Sequence, residues 1–180
     1  MLLVALSVSN VSIASPDNNF LGNYSIKADE IEKITVAIIN PWLLTRAPTD
    51  ERNISTSGCR IETTKPEDIS TLTDLVENYK ELDTSYVLAR GVRYAIFYEK
   101  KNGTVIDFYF NSGMPYSQKS LSGHLRIDKG EKVYQNFDRE IIKNLMQWAL
   151  KSYTSMPNNK FEKNCDFFQV LETRKIPFTE

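Results

Sequence analysis

The chain is poor in the residues that carry most reaction chemistry. It holds one histidine, His124. Histidine-based metal sites need two or more imidazoles, or a carboxylate cluster at helical spacing, so no metal centre is expected. There is no Gly-x-Ser-x-Gly elbow, no Gly-x4-Gly-Lys-Ser/Thr loop, no Gly-x-Gly-x-x-Gly turn and no Cys-x-x-Cys pair. These absences count against an ordinary hydrolase, a nucleotide enzyme and a redox enzyme, and no cofactor is expected. An excess of either charge is missing too: Lys+Arg 22 against Asp+Glu 23 gives a net charge of −1. Nothing in that balance draws the chain to phosphate backbones or anionic lipid, so nucleic acid is not an expected partner. No stretch beyond the N-terminus approaches the roughly 18 consecutive apolar residues of a membrane span, and no membrane insertion is expected.

What is present is an ordinary globular balance, 41% hydrophobic and 25% charged. The length suits one domain with a core large enough to fold unaided. Residues 1–14 are apolar and serine-rich, without charge, and end in Ser12-Ile13-Ala14. Small residues at those positions suit signal peptidase, so a leader cleaved after Ala14 and a single domain over 15–180 are expected. The missing positive charge before Lys27 departs from the usual leader, and a buried strand over Leu2–Leu6 is the alternative. In an oxidising compartment the two cysteines, Cys59 and Cys165, would form one bridge. Two unpaired buried thiols are the other reading, since spacing alone cannot show that the sulfurs meet.

The most legible segment is 86–110, where aromatic and β-branched runs flank Asn102-Gly103. With those two residues as a type I′ loop, Lys101 faces Thr104 and Phe97 faces Phe108. One sheet face would carry Ala95, Phe97, Ile106, Phe108 and Phe110. The other would carry Tyr94, Ile96, Tyr98, Val105, Asp107 and Tyr109. A second hairpin is expected over 123–136, turning at Lys129-Gly130, with His124, Arg126 and Asp128 on one face. Residues 34–39 read as a buried strand, 59–63 as a short one, 167–171 as an edge strand and 42–57 as a long loop. Pro66 and the spacing of Ile69, Leu72 and Val76 predict a helix over 66–80. Asp138, as N-cap, opens a second helix over 139–152, whose apolar stripe would cover the Phe97/Phe108 face. The fold class is therefore α+β, an antiparallel sheet packed against two helices.

A catalytic role for His124, with Cys59, Cys165, Ser120 or Ser122, would make the chain a small secreted hydrolase. A carboxylate pair drawn from Glu99, Asp107 and Asp128 would suit glycoside chemistry, although charged strand residues are usually solvated. Four Asn-x-Ser/Thr sequons, at Asn10, Asn23, Asn53 and Asn102, matter only in a host that glycosylates. Tyr94, Tyr98 and Tyr109, with Tyr116 beyond them, would form a partner-binding face together with Trp42 and His124, because tyrosine gives contact area at low entropic cost. The competing reading is that the 66–80 helix covers that face. Arg93-Tyr94-Ala95-Ile96-Phe97-Tyr98, Asn102-Gly103 and Phe108-Tyr109-Phe110, followed by a helix, resemble small bacterial immunity-type proteins of interbacterial toxin systems, contact-dependent inhibition included. The resemblance covers about a third of the chain. It implies a stoichiometric, non-enzymatic inhibitor that binds and neutralises a protein such as a toxin or an envelope hydrolase. Many such proteins work in the cytosol, whereas this leader would place the chain in the periplasm or outside the cell.

Overall fold

A computed structural model describes residues 26–42, 49–77, 91–111, 120–130, 132–156 and 163–174. The expected leader, Tyr116, and the sequons at Asn10 and Asn23 lie outside them, as do the first residues of the 86–110 segment and the last of the 66–80 helix. Six strands form one antiparallel sheet: β1 (Ile31–Ile38), β2 (Cys59–Thr63), β3 (Val92–Lys100), β4 (Val105–Asn111), β5 (Ser120–Ile127) and β6 (Val133–Asp138). Their order across the sheet is β2-β1-β3-β4-β5-β6. The helices are α1 (Glu51–Ser57), α2 (Pro66–Glu77), α3 (Glu140–Ser155) and α4 (Phe167–Arg174). Both expected hairpins and both expected helices are present, and the class is α+β. Among the described residues no helix is long and apolar enough to cross a membrane.

The register of the first hairpin differs from the expected one by a single residue. Gly103 N–H donates to Lys100 O at 2.8 Å, and Lys100 N–H donates to Thr104 O at 2.9 Å. The loop is therefore Lys101-Asn102-Gly103, a turn closed by a left-handed residue, with Gly103 at φ +86°. Tyr98 now faces Ile106, Ile96 faces Phe108 and Tyr94 faces Phe110. Because side chains alternate with period two, that one residue sends β3 from Tyr94 onward to the opposite face. Phe97 and Ala95 leave the helix-covered side, and Tyr94, Ile96 and Tyr98 take their places.

The main core lies between this face and α2, α3 and α4. Ile34, Val36, Ile96, Phe108, Phe110, Leu125 and Phe137 meet Ile69, Leu72 and Val76 of α2 and Leu145, Met146 and Ala149 of α3. Tyr98 is fully buried there, and its hydroxyl donates to Leu72 O at 2.7 Å. Burial so complete suits a tyrosine only because its oxygen finds that carbonyl. Asp68 joins three elements: Oδ2 accepts from Thr63 Oγ1 at 2.9 Å and Oδ1 from Trp148 Nε1 at 3.1 Å. Gly123 admits the Phe137 ring, since a Cβ there would stand 2.8 Å from a ring carbon and 2.3 Å from Tyr109 O.

Two expected elements are replaced. Residues 167–171 form the start of α4 rather than an edge strand: Phe167, Phe168 and Leu171 are buried while Gln169 and Val170 are exposed, a helical spacing. Of the expected 42–57 loop, residues 43–48 lie outside the described residues and 51–57 form α1, which Asp50 caps by accepting from Asn53 N–H at 2.7 Å. Asp138, the last residue of β6, accepts from Glu140 N–H at 2.9 Å, so its side chain caps α3 although Arg139 stands at the boundary.

Cys59 and Cys165 are bonded, 106 residues apart, and tie the turn before α4 to the edge strand β2. Closing a loop of that length contributes about 4 to 5 kcal/mol in the chain-entropy model. We expect Cys59→Ala with Cys165→Ala to lower the unfolding free energy by about 2 to 5 kcal/mol in urea. A denaturation midpoint of the natural chain unmoved by reductant would contradict the bond. Gly123→Ala should cost about 1 to 3 kcal/mol by overpacking against Phe137 and the β4 backbone.

Candidate functional site

The face of the sheet turned away from α2 and α3 is covered in part by α1. Ile54, the buried residue of that short helix, packs with Ala37, Ile39, Val92, Ala95 and Tyr109, and Phe97 flanks the cluster. Ala37 and Ala95 are cross-strand partners, and their small side chains leave the helix room to approach. Seating α1 there carries its first residue, Glu51, over the β4–β5 half of the sheet.

Strand alternation supplies the rest. Tyr109 pairs with His124 and Asp107 with Arg126, so all four side chains share this face. His124 is 5% exposed and stacks on Tyr109 with ring centroids 4.9 Å apart. Its Nε2 lies 2.8 Å from Glu51 Oε1. Glu51 also bonds Arg126 through Oε2 and Lys132 through Oε1, so three nitrogen groups close on one carboxylate. Arg126 Nη2 donates to Lys129 O at 2.9 Å, which fixes the guanidinium against the β5–β6 turn. That turn is held in an unusual shape: Asp128 and Lys129 have φ of +47° and +60°.

Beside this network an open cleft of about 880 Å³ is lined by Glu51, Arg52, Phe97, Asp107, Tyr109 and Arg126, among others. His124 is not among its lining residues. On the floor, Asp107 Oδ2 accepts from the Tyr109 hydroxyl at 3.3 Å. Its Oδ1 is buried and makes no hydrogen bond among the described residues, and neither does Arg126 Nε.

The two carboxyls are pushed apart in acidity. Burial raises Asp107 above the ordinary carboxyl value, against the Tyr109 hydrogen bond and the charge of Arg126. Burial acts the same way on Glu51, but hydrogen bonds from Lys132 and Arg126, with the charge of Lys132, outweigh it and hold the group low. Burial, with Lys132 and Arg126 nearby, lowers His124 despite its attraction to Glu51. A neutral ring facing an ionised carboxylate must carry its proton on Nε2, since the carboxylate can only accept. Burial and the neighbouring Asp107 and Glu51 raise Tyr109, which stays a phenol.

The residues expected to bind a partner do not form one surface. Tyr98 is buried beneath α2 and Tyr94 packs against the same core, while Tyr109 and His124 are buried on the opposite face. Trp42 is 47% exposed. Of the expected carboxylates, Glu99 pairs with Lys33 at 2.8 Å and Asp128 accepts from Val105 N–H at 2.8 Å. Asp107 alone of the three enters the cleft. Glu51 lies in the stretch whose sequence reads as a loop; the one sequence signal that marks it is the helix-start pattern Asp50-Glu51. Among the described residues no group of three or more His, Cys, Asp or Glu could hold a metal ion. Comparison with family models, curated proteins and solved structures finds no match.

Glu51→Ala would leave Arg126 without its counter-charge. We expect it to cost about 1 to 3 kcal/mol in urea denaturation, less than for a fully buried pair because Arg126 and Lys132 are partly exposed. The pH dependence has a definite sign. An unfolded histidine binds its proton near 6.5 and the folded ring binds it lower, so the stability linked to His124 is full above that value. It is lost as pH falls through the folded pKa, and His124→Gln should flatten the slope below pH 6.5. Asp107 has the opposite sign, because its raised pKa makes the ionised form costly in the folded state. Asp107→Asn should therefore stabilise the protein at neutral pH, which thermal unfolding at several pH values would reveal.

Proposed function

We propose that the chain is a non-enzymatic binding protein, exported to the periplasm or the cell exterior, that holds and neutralises a partner protein such as a toxin or an envelope hydrolase. The observation that carries this reading is the closure of the reactive groups upon one another. The sole imidazole is buried, stacked and bonded to Glu51. Glu51 in turn is engaged by Arg126 and Lys132, which leaves it a weak base. A network centred on Glu51 in this way serves to fix α1 on the sheet. The Cys59–Cys165 bond supports export, since such bonds persist chiefly in oxidising compartments. Trp42, exposed beyond β1, is the kind of side chain that anchors a protein contact.

A second reading, a small secreted hydrolase, is favoured by the cleft. There the buried Asp107 would serve as proton donor, while Glu51 would orient His124. The two readings separate in one set of assays. Titrated into an envelope extract, the oxidised chain should form a one-to-one complex with a single protein, and Trp42→Ala should weaken it roughly tenfold. Failure to recover such a complex would defeat the binding reading. Turnover of a glycoside, ester or phosphodiester that is lost in Asp107→Asn, with stability retained, would establish the hydrolase in its place.

A further inference from the structure

The attachment of α1 to the sheet is unlike that of the other helices. α1 is seven residues long and Ile54 is its one buried residue, whereas α3 buries six. Apolar packing therefore holds it weakly, and its remaining attachments are polar. Val92 N–H donates to Thr49 O at 2.7 Å just before the helix, and Glu51 carries the bonds to His124, Arg126 and Lys132. At the far end Gly58 N–H closes on Ile54 O at 3.1 Å, and the chain passes into β2. Lifting α1 would undo the packing of Ile54 and the bonds of Glu51, while every strand pairing of the sheet stays in place.

The groups around His124 give that movement a direction in pH. Glu51 of α1, flanked by Asp50 and Arg52, faces its Nε2. On β4, Tyr109 stacks on the ring, and Asp107 pairs with Arg126 of β5 one step along. Asp128 and Lys129 form the turn beyond, Lys132 reaches Glu51 from the start of β6, and Tyr134 is the register partner of His124 on that strand. The neutral ring already donates its Nε2 proton to Glu51, so acid adds a proton at Nδ1. A third positive charge then bears on a carboxylate that already serves Arg126 and Lys132. Burial leaves that charge little water, and the folded ring resists it, with a pKa below the ordinary value. Asp107 gives no relief: its raised pKa makes it lose its charge before Glu51 does as pH falls.

With α1 lifted, the imidazole meets water and takes its proton near 6.5. The form that binds the proton more readily gains as pH falls, by up to about tenfold per pH unit between the two pKa values. We propose that α1 is an acid-released clasp on the sheet, with His124 as the group that senses the proton and Glu51 as the latch. Release uncovers the apolar strip of Ala37, Ile39, Val92, Ala95 and Tyr109, while the core on the other face and the Cys59–Cys165 bond keep the rest of the chain folded. The device requires neither a partner nor a substrate, so it stands apart from both readings of function.

Hydrogen exchange of the full, untagged, oxidised chain, followed by NMR, tests it. Between pH 7 and pH 5, after correction for intrinsic rates, protection of the Ile54 and Gly58 amides should fall about threefold or more, while that of Leu145 and Ala149 in α3 should hold. His124→Gln, which can still donate to Glu51 but takes up no proton, should abolish the fall. The coupling must also run in reverse. Ile54→Ala, which loosens α1, should bring the titration of the imidazole up towards 6.5, and the chain has only one histidine signal to follow. Equal loss of protection in α1 and α3 overturns the clasp, because the whole fold is then opening. An undiminished fall in His124→Gln, or an imidazole titration unmoved by Ile54→Ala, overturns the role of His124.

Discussion

The architecture depends on the register of β3 against β4. Gly103, in the left-handed conformation, closes a three-residue turn, and the pairing it sets assigns every side chain of β3 to one layer or the other. Tyr98 and Ile96 go beneath the helices, and Ala95 and Phe97 go to the opposite side. One residue fewer in the turn would bring Phe97 into the core. It would also place Tyr98 against α1, with its hydroxyl far from Leu72 O. The buried tyrosine, the alanine pair that admits α1 and the cleft beside it all follow from that geometry.

The two sides of the sheet are held by different forces. Beneath α2, α3 and α4 the packing is apolar, with Phe110 and Phe137 in edge contact at 4.9 Å and the disulfide fixing the last helix. Hydrophobic burial dominates there. Beneath α1 a small apolar cluster gives way to His124, Arg126 and Lys132, all three bonded to Glu51. A short helix with one buried residue, Ile54, has little apolar area to hold it. The ion network supplies the rest, and its least exposed members, Glu51 and His124, would be costly to leave alone. This is why the polar cluster is read first as a fastening and only second as a catalytic centre.

Charge is distributed less evenly than the net value suggests. The groove between α2 and α3 is lined by five carboxylates and one ammonium, whereas at the cleft beside α1 Arg52, Arg126, Lys129 and Lys132 stand against Asp50, Glu51 and Asp107. A chain close to neutral overall therefore holds one acidic surface and one nearly balanced one.

Most of the fold was legible in the chain, because its signals are local. The β-branched run of β1 declared a strand, Pro66 and Asp138 marked two helix starts, and Asn102-Gly103 declared a hairpin. Even the assignment of Ile106, Phe108 and Phe110 to the core needed only alternation. The length of the turn was not legible, since Asn-Gly suits both a two-residue loop and a three-residue one closed by glycine. Phe167-Phe168 read as strand because a short apolar run has no period of its own. The site was hidden for a deeper reason. Glu51 and His124 are 73 residues apart, and no spacing in sequence encodes their meeting. The sequence by itself determined which segments pair and which faces are apolar, through propensities acting over a few residues. Only the tertiary structure decided that α1 lies over β1 and β3 with Glu51 reaching the side chains of β5, because that placement rests on small side chains and buried charges contributed by distant strands.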